Sequence, residues 1–269
     1  MSTYAIEGGQ AGKQRLDVLA AVMQPHTAWL LDAVGVAPGS RCIDVGCGGG
    51  HVSRELARRV GPNGRVVGID LDSDVVSLAR ADAQREGLTN LCFEVGDAAG
   101  LDPGDYDLAY CRFLLSHVNS PAEVLQSITA TVRPGGGVIL EDTDFAASFC
   151  YPESAAFQRF VQLYREAVSR FGGNADIGPS LPGLLRWAGV QDVGLDVCQP
   201  TALTGPTKLM SVVTLERISR AVIGERLASP DEIDSLLAAL RDYYENPATL
   251  MSTPRIIRAW GRTPLTGSK

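Results

Sequence analysis

The chain has 269 residues, 24 Lys+Arg against 31 Asp+Glu, a net charge of −7 and 45% hydrophobic residues. That balance describes one large α/β domain, with or without a cap, and excludes wholesale disorder. The acid excess argues against a nucleic-acid partner, and no apolar run reaches the roughly 18–20 residues that span a bilayer. The first residues hold neither a basic start nor an apolar stretch, so no secretory signal is read. The six cysteines lack a C-x-x-C pair and only three His are present. Reduced thiols in a cytoplasmic protein, and no metal, are the expectation.

Leu16, Leu19, Ala20 and Met23 recur at helical spacing, and Pro25 is expected to end that helix before a second short one carrying Trp29, Leu30 and Val34. Strand and helix then alternate. Cys42-Ile43-Asp44-Val45 reads as a first strand, Gly46 to Gly50 as a glycine loop and Val52 to Val60 as a helix. Val66 to Asp70 is the second strand, followed by a helix capped by Asp72 or Ser73. Leu91 to Val95 and Tyr106 to Cys111 are the third and fourth strands. Ser120-Pro121-Ala122-Glu123 has the capping-box pattern, and Pro134-Gly135-Gly136 turns the chain into a fifth strand, Val138 to Glu141. Five strands separated by helices imply a parallel, doubly wound sheet, with ligands beyond the carboxyl ends of the strands.

Residues 145–187 hold eight of the 17 aromatics. Their density beside the predicted site points to an apolar pocket wall for some of them. A helix is expected from Ser154 to Phe171, a sixth strand from Val193 to Cys198, and helices over Lys208 to Ile223 and Pro230 to Tyr244. Arg255 to Trp260 reads as a last strand at or near the sheet edge.

The chemistry concentrates in Ile43-Asp44-Val45-Gly46-Cys47-Gly48-Gly49-Gly50. Glycines there let a ligand approach the backbone, and the helix that follows points free N–H groups at it. Asp70, twenty residues after Gly50, sits where a carboxylate can accept both hydroxyls of a ribose. A dinucleotide fingerprint would need its third glycine at residue 51, which is His51. Asp44, beside the loop, would repel a pyrophosphate and attract an ammonium group. A cofactor with ribose at one end and an amino acid at the other fits better.

Asp44 to Gly50, Gly68-Ile69-Asp70, Gly96-Asp97-Ala98, Tyr106 to Cys111 and Arg133-Pro134-Gly135-Gly136-Gly137 together resemble the class I S-adenosylmethionine-dependent methyltransferases of the small-molecule branch. The resemblance covers residues 41–141. It implies a seven-stranded, mostly parallel, Rossmann-like sheet whose last strand is antiparallel, with N-terminal lid helices and a helical, aromatic cap. It places the backbone of Gly46, Cys47 and Gly48 along the methionine part of S-adenosylmethionine, with Asp44 facing that part. Asp70 would hold the ribose and Leu71 would lie against the adenine. Asp97, beside Ala98, would accept from the adenine amino group. Cys111 and Arg112 would border the sulfonium and the substrate. Arg15, on a segment like the family's lid helix, could pair with the cofactor carboxylate, and Tyr4 could close over the site.

His117 is the general-base candidate by position, with His26 second. Glu141, Asp142 and Asp144 crowd the end of the fifth strand, where they orient a substrate or solvate a loop. The expected organisation is lid helices over 1–37, a cofactor-binding core over 38–144, an aromatic insertion over 145–190 and the rest of the sheet with two helices over 191–269. The expected reaction is methyl transfer to O, N or C of a small, mostly apolar metabolite, aromatic or alkaloid-like. A nicotinamide-dependent oxidoreductase and a non-catalytic binding protein of the same fold are the alternatives. No membrane partner is expected, and apolar positions on the lid helix could support a homodimer.

Overall fold

The computed structural model of the chain describes residue 6 and residues 9–265. Helix α1 (Gly9–Val34) leads into β1 (Arg41–Val45), α2 (His51–Val60), β2 (Arg65–Asp70), α3 (Ser73–Arg85) and β3 (Leu91–Val95). Next come β4 (Tyr106–Arg112), α4 (Pro121–Ala130), β5 (Val132–Asp144) and β6 (Cys150–Tyr151). Helices α5 (Ala155–Arg170) and α6 (Leu181–Trp187) precede β7 (Gln191–Cys198) and β8 (Thr201–Ala202). Helices α7 (Pro206–Gly224) and α8 (Pro230–Glu245) lead to β9 (Leu250–Ser252) and β10 (Arg255–Arg262).

The main sheet has seven strands in the order β3-β2-β1-β4-β5-β10-β7, with β10 antiparallel to both neighbours. This is the mostly parallel, doubly wound, Rossmann-like sheet expected. Alternation along each strand sends side chains to opposite faces. On β4, Leu108 and Tyr110 join Leu30, Leu31 and Leu56 under α1 and α2. Ala109 and Cys111 join Leu125, Ile128, Leu181 and Leu185 under α4 and α6. A second, short sheet pairs β6, β9 and β8. Above it lies a separate core drawn from α5, α7 and α8, including Phe157, Leu163, Leu215 and Leu240.

Four local expectations are corrected. Pro25 does not end the first helix, which runs through it to Val34. Val22, Met23, Leu30 and Leu31 are buried on both sides of the proline, so packing outweighs the lost backbone bond. Strand β5 begins at Val132, six residues early, because Pro134-Gly135-Gly136 is absorbed as a bulge: Tyr106 pairs with Val132, yet Leu108 pairs with Gly137. Ser120 makes no side-chain cap, whereas Asp72 and Ser229 do. The aromatic cap is not one insertion, since α6 packs on the main sheet and α7 and α8 complete the core around α5. As expected, the last strand lies near the sheet edge, one place inside it with β7 outermost.

Candidate active site

A cavity of about 310 Å³ opens at the carboxyl ends of β1, β2 and β4, within the size range of small-molecule sites. Its floor is the glycine loop. Gly50 has φ +71°, and a Cβ there would lie 2.5 Å from Phe93, so only glycine fits the turn into α2. Gly46 has φ +73°, with Leu114 3.1 Å from where its Cβ would stand. The N–H groups of Gly46 and Cys47 donate to Ile69 O at 2.8 and 2.9 Å. That of Gly48 donates to Asp70 Oδ2 at 2.8 Å. These three amides are therefore spent on β2 and are not offered to a ligand phosphate.

Asp70 closes one side of the floor, its other oxygen accepting from Asp72 N at 3.0 Å. Burial lifts its pKa, and the backbone bonds from Asp72 and Gly48 oppose the lift. Asp44 is buried, accepts from Ser53 Oγ at 2.5 Å, and is pushed up to about 6 mainly by burial, with Ser53 and Arg112 pulling the other way. A cation beside Asp44 would restore the ionised form. The donor set thus suits a ligand with hydroxyls at one end and an ammonium group at the other.

The opposite wall comes from α1, the β4 end and the cap. Leu16 lies 3.6 Å from a Cβ placed on Gly48, so α1 roofs the loop. Arg15 donates from Nε to Thr214 Oγ1 at 3.3 Å. Phe113 holds φ +55° while its N–H donates to Glu141 O at 2.8 Å. This left-handed residue, sparsely populated without glycine, turns the chain so that Leu114 and His117 line the cavity. Tyr164 Oη is 3.5 Å from His117 Nε2, and its ring stacks on Phe145 at 3.8 Å between centroids.

Eight of the anticipated residues line this cavity: Arg15, Asp44, Gly46, Cys47, Gly48, Asp70, Arg112 and His117. The others fall elsewhere. Cys111 is buried on the opposite sheet face, one residue out of phase with Arg112, and burial raises its thiol pKa well above the usual range. His26 is off the cavity, where its carbonyl accepts from Arg258 Nη1 at 2.7 Å. Leu71 is exposed at the rim, Asp97 caps a turn by accepting from Ala99 N at 2.9 Å, and Ala98 packs on the α4 side. Tyr4 lies outside the described residues. Of the clustered carboxylates, Glu141 accepts from Tyr110, Asp142 accepts from Ser116 N at 3.0 Å, and Asp144 pairs with Arg255. Among the described residues no group of three or more His, Cys, Asp or Glu is placed to hold a metal ion, and no helix is long and apolar enough to cross a membrane.

Phe145, Phe157, Phe160 and Tyr164 are the aromatics of the dense segment that reach the wall, while Phe149, Tyr151 and Trp187 are exposed. Met210 and Thr214 of α7 also line it. No local signal marks them, since α7 meets the site through contacts far apart in the chain, such as Arg15 to Thr214, 199 residues apart.

Residues 37–169 match a family model described as a methyltransferase domain. An uncharacterized 37.1 kDa transposon protein of Streptomyces fradiae is 32% identical over 179 residues, 65% of this chain and 50% of that one. The ubiquinone biosynthesis O-methyltransferase of Aeromonas salmonicida is 38% identical over 114 residues, 42% of this chain and 47% of its own. The chain spans about half the length of these curated relatives. The crystal structure of BH2331 from Bacillus halodurans has a TM-score of 0.61 at 20% identity, covering 88% of this chain and 98% of that one, a likeness of fold. Residues 37–169 of the chain thus form a methyltransferase domain.

Proposed function

We propose that the chain moves a methyl group from S-adenosylmethionine to a small, mostly apolar, ring-bearing metabolite. One observation carries this reading: a single cavity runs from the glycine loop and Asp70 to a wall of Phe145, Phe157, Phe160 and Tyr164. Bound S-adenosylmethionine supplies a methyl group on sulfonium, an electrophile that needs little further activation. Asp70 would hold the ribose hydroxyls. Asp44 would hold the ammonium group, and the spent amides of Gly46, Cys47 and Gly48 favour that group over a pyrophosphate. Leu16 and Leu114 would exclude water from the reacting centre. The aromatic wall would hold the acceptor ring in line, at about 3–3.5 Å from the methyl carbon. His117 would face the acceptor with an uncharged ring.

Calorimetry tests the cofactor half. S-adenosylhomocysteine should bind and NAD should not. Asp70→Ala should weaken S-adenosylhomocysteine by at least about tenfold, roughly 1.5 kcal/mol, because two ribose hydroxyls lose their acceptor. Equal affinity in the variant, or preference for NAD, would remove the reading.

A further inference from the structure

The cavity changes chemistry along its length. Its lining carboxylates are Asp44, Asp70 and Asp72, all at the ends of β1 and β2 or the cap of α3. The end beneath α5 and α7 is walled by Phe145, Phe157, Phe160 and Met210. No carboxylate of the described residues lines that end, and its guanidinium is that of Arg15. Among the described residues Arg15 makes no ion pair, and Thr214 Oγ1 at 3.3 Å is its side-chain partner. A mostly buried guanidinium in apolar surroundings favours an anion beside it and opposes a second cation.

Tyr164 stands next to it. The Phe145 stack, 13° from parallel, holds its ring, and its hydroxyl faces His117 Nε2 across 3.5 Å. That gap is long for a firm hydrogen bond, and one oxygen of a ligand can meet both groups. Among the described residues, Arg15 and Asp142 act electrostatically on the pair, the latter held by Ser116 N at 3.0 Å. Burial and Arg15 keep His117 uncharged at neutral pH, so it adds no second positive charge.

The geometry points to an acceptor with an acidic hydroxyl, a phenol or enol on a planar ring, bound as its oxyanion between Arg15 and Tyr164 and preferred over any ammonium-bearing acceptor. This rests on the methyl-transfer reading above and names its substrate class. The hydroxyl proton is released to solvent as the anion binds. Arg15, which the family resemblance would place on the cofactor carboxylate, then serves the acceptor.

The probe is 4-nitrophenol, whose ionisation is visible in its absorption band, titrated with the full chain and no cofactor. Bound dye should be ionised about tenfold more than free dye at the same pH. Arg15→Met should return that ratio to its solution value and weaken binding about tenfold, while Arg15→Lys should retain part of the shift. Benzylamine, matched in ring but cationic, should not displace the dye. The inference is overturned by any of four results: absence of dye binding, dye bound as the neutral phenol, displacement by benzylamine, or an Arg15→Met variant that loses S-adenosylhomocysteine affinity but keeps the dye. Circular dichroism checks that both variants fold. S-adenosylhomocysteine calorimetry on the parent separates the two levels: cofactor binding without the dye shift sinks this inference alone, and loss of cofactor binding sinks the methyl-transfer reading.

Discussion

His117 shows how the site's charge is set by position. Its pKa, ordinarily 6.5, is pushed down to about 4 by burial, and the nearby Arg15 guanidinium adds to the fall. Between those two values the unfolded chain binds a proton that the folded chain refuses. The contribution of this group to stability is therefore complete above about pH 6.5 and is lost as pH drops toward 4. In urea titrations, the parent should lose more stability than His117→Gln between pH 6.5 and 4.5, and parallel profiles would refute the assignment. In turnover assays, a neutral ring can hydrogen-bond the acceptor but is a weak proton store. Loss of His117 should accordingly slow the reaction more than it weakens cofactor binding.

At the scale of elements, α7 links roof and cap. Lys208 on its first turns is fully buried, and its Nζ donates to Asn246 O at 2.8 Å, Thr249 O at 3.2 Å and Thr249 Oγ1 at 2.8 Å. Every ammonium proton is thus matched by an oxygen of the α8–β9 connection, with the Tyr243 ring 5.7 Å away. Burial alone would lower its pKa, as it does, and the three acceptors keep the side chain in place. Lys208→Met fills similar volume but leaves the Thr249 carbonyl without its lysine donor. It should destabilise the protein by about 2–4 kcal/mol in chemical denaturation, and a change below about 0.5 kcal/mol would show that the contacts are incidental. Helix α1 behaves differently, since its apolar residues on either side of Pro25 hold it together where its backbone cannot.

On the scale of the molecule, two cores meet over one cavity. The main sheet supplies the loop and the acids, and the cap core of α5, α7 and α8 supplies the aromatic wall. Helix α1 spans both, through Leu16 over Gly48 and Arg15 on Thr214. An ion pair from Lys13 to Asp82 at 3.2 Å and a contact of His51 Nε2 with Asp17 at 3.1 Å tie it to α3 and α2. Such partly exposed pairs contribute little, so the first half of α1 is held mainly by what lies beneath it. Hydrogen exchange should slow over Gly12 to Leu19 and the start of α2 when S-adenosylhomocysteine binds, and stay unchanged in β5 and β10. Uniform slowing across the sheet would instead indicate global stabilisation without a lid.

The sequence alone determined the alternating core, the glycine loop and the acids at the ends of the first two strands. Each of these is a local requirement: Gly50 must adopt a positive φ against Phe93, and strand spacing fixes where Asp44 and Asp70 stand. Only the tertiary structure decided the acceptor end. Whether Cys111 or Arg112 faces the ligand depends on strand phase within the assembled sheet. Whether Phe160 and Tyr164 are wall or core depends on which face α5 turns to α7. Arg15, Thr214 and His117 come from three distant segments, and their chemistry exists only once packing has closed α1 and α7 over the carboxyl ends of the strands.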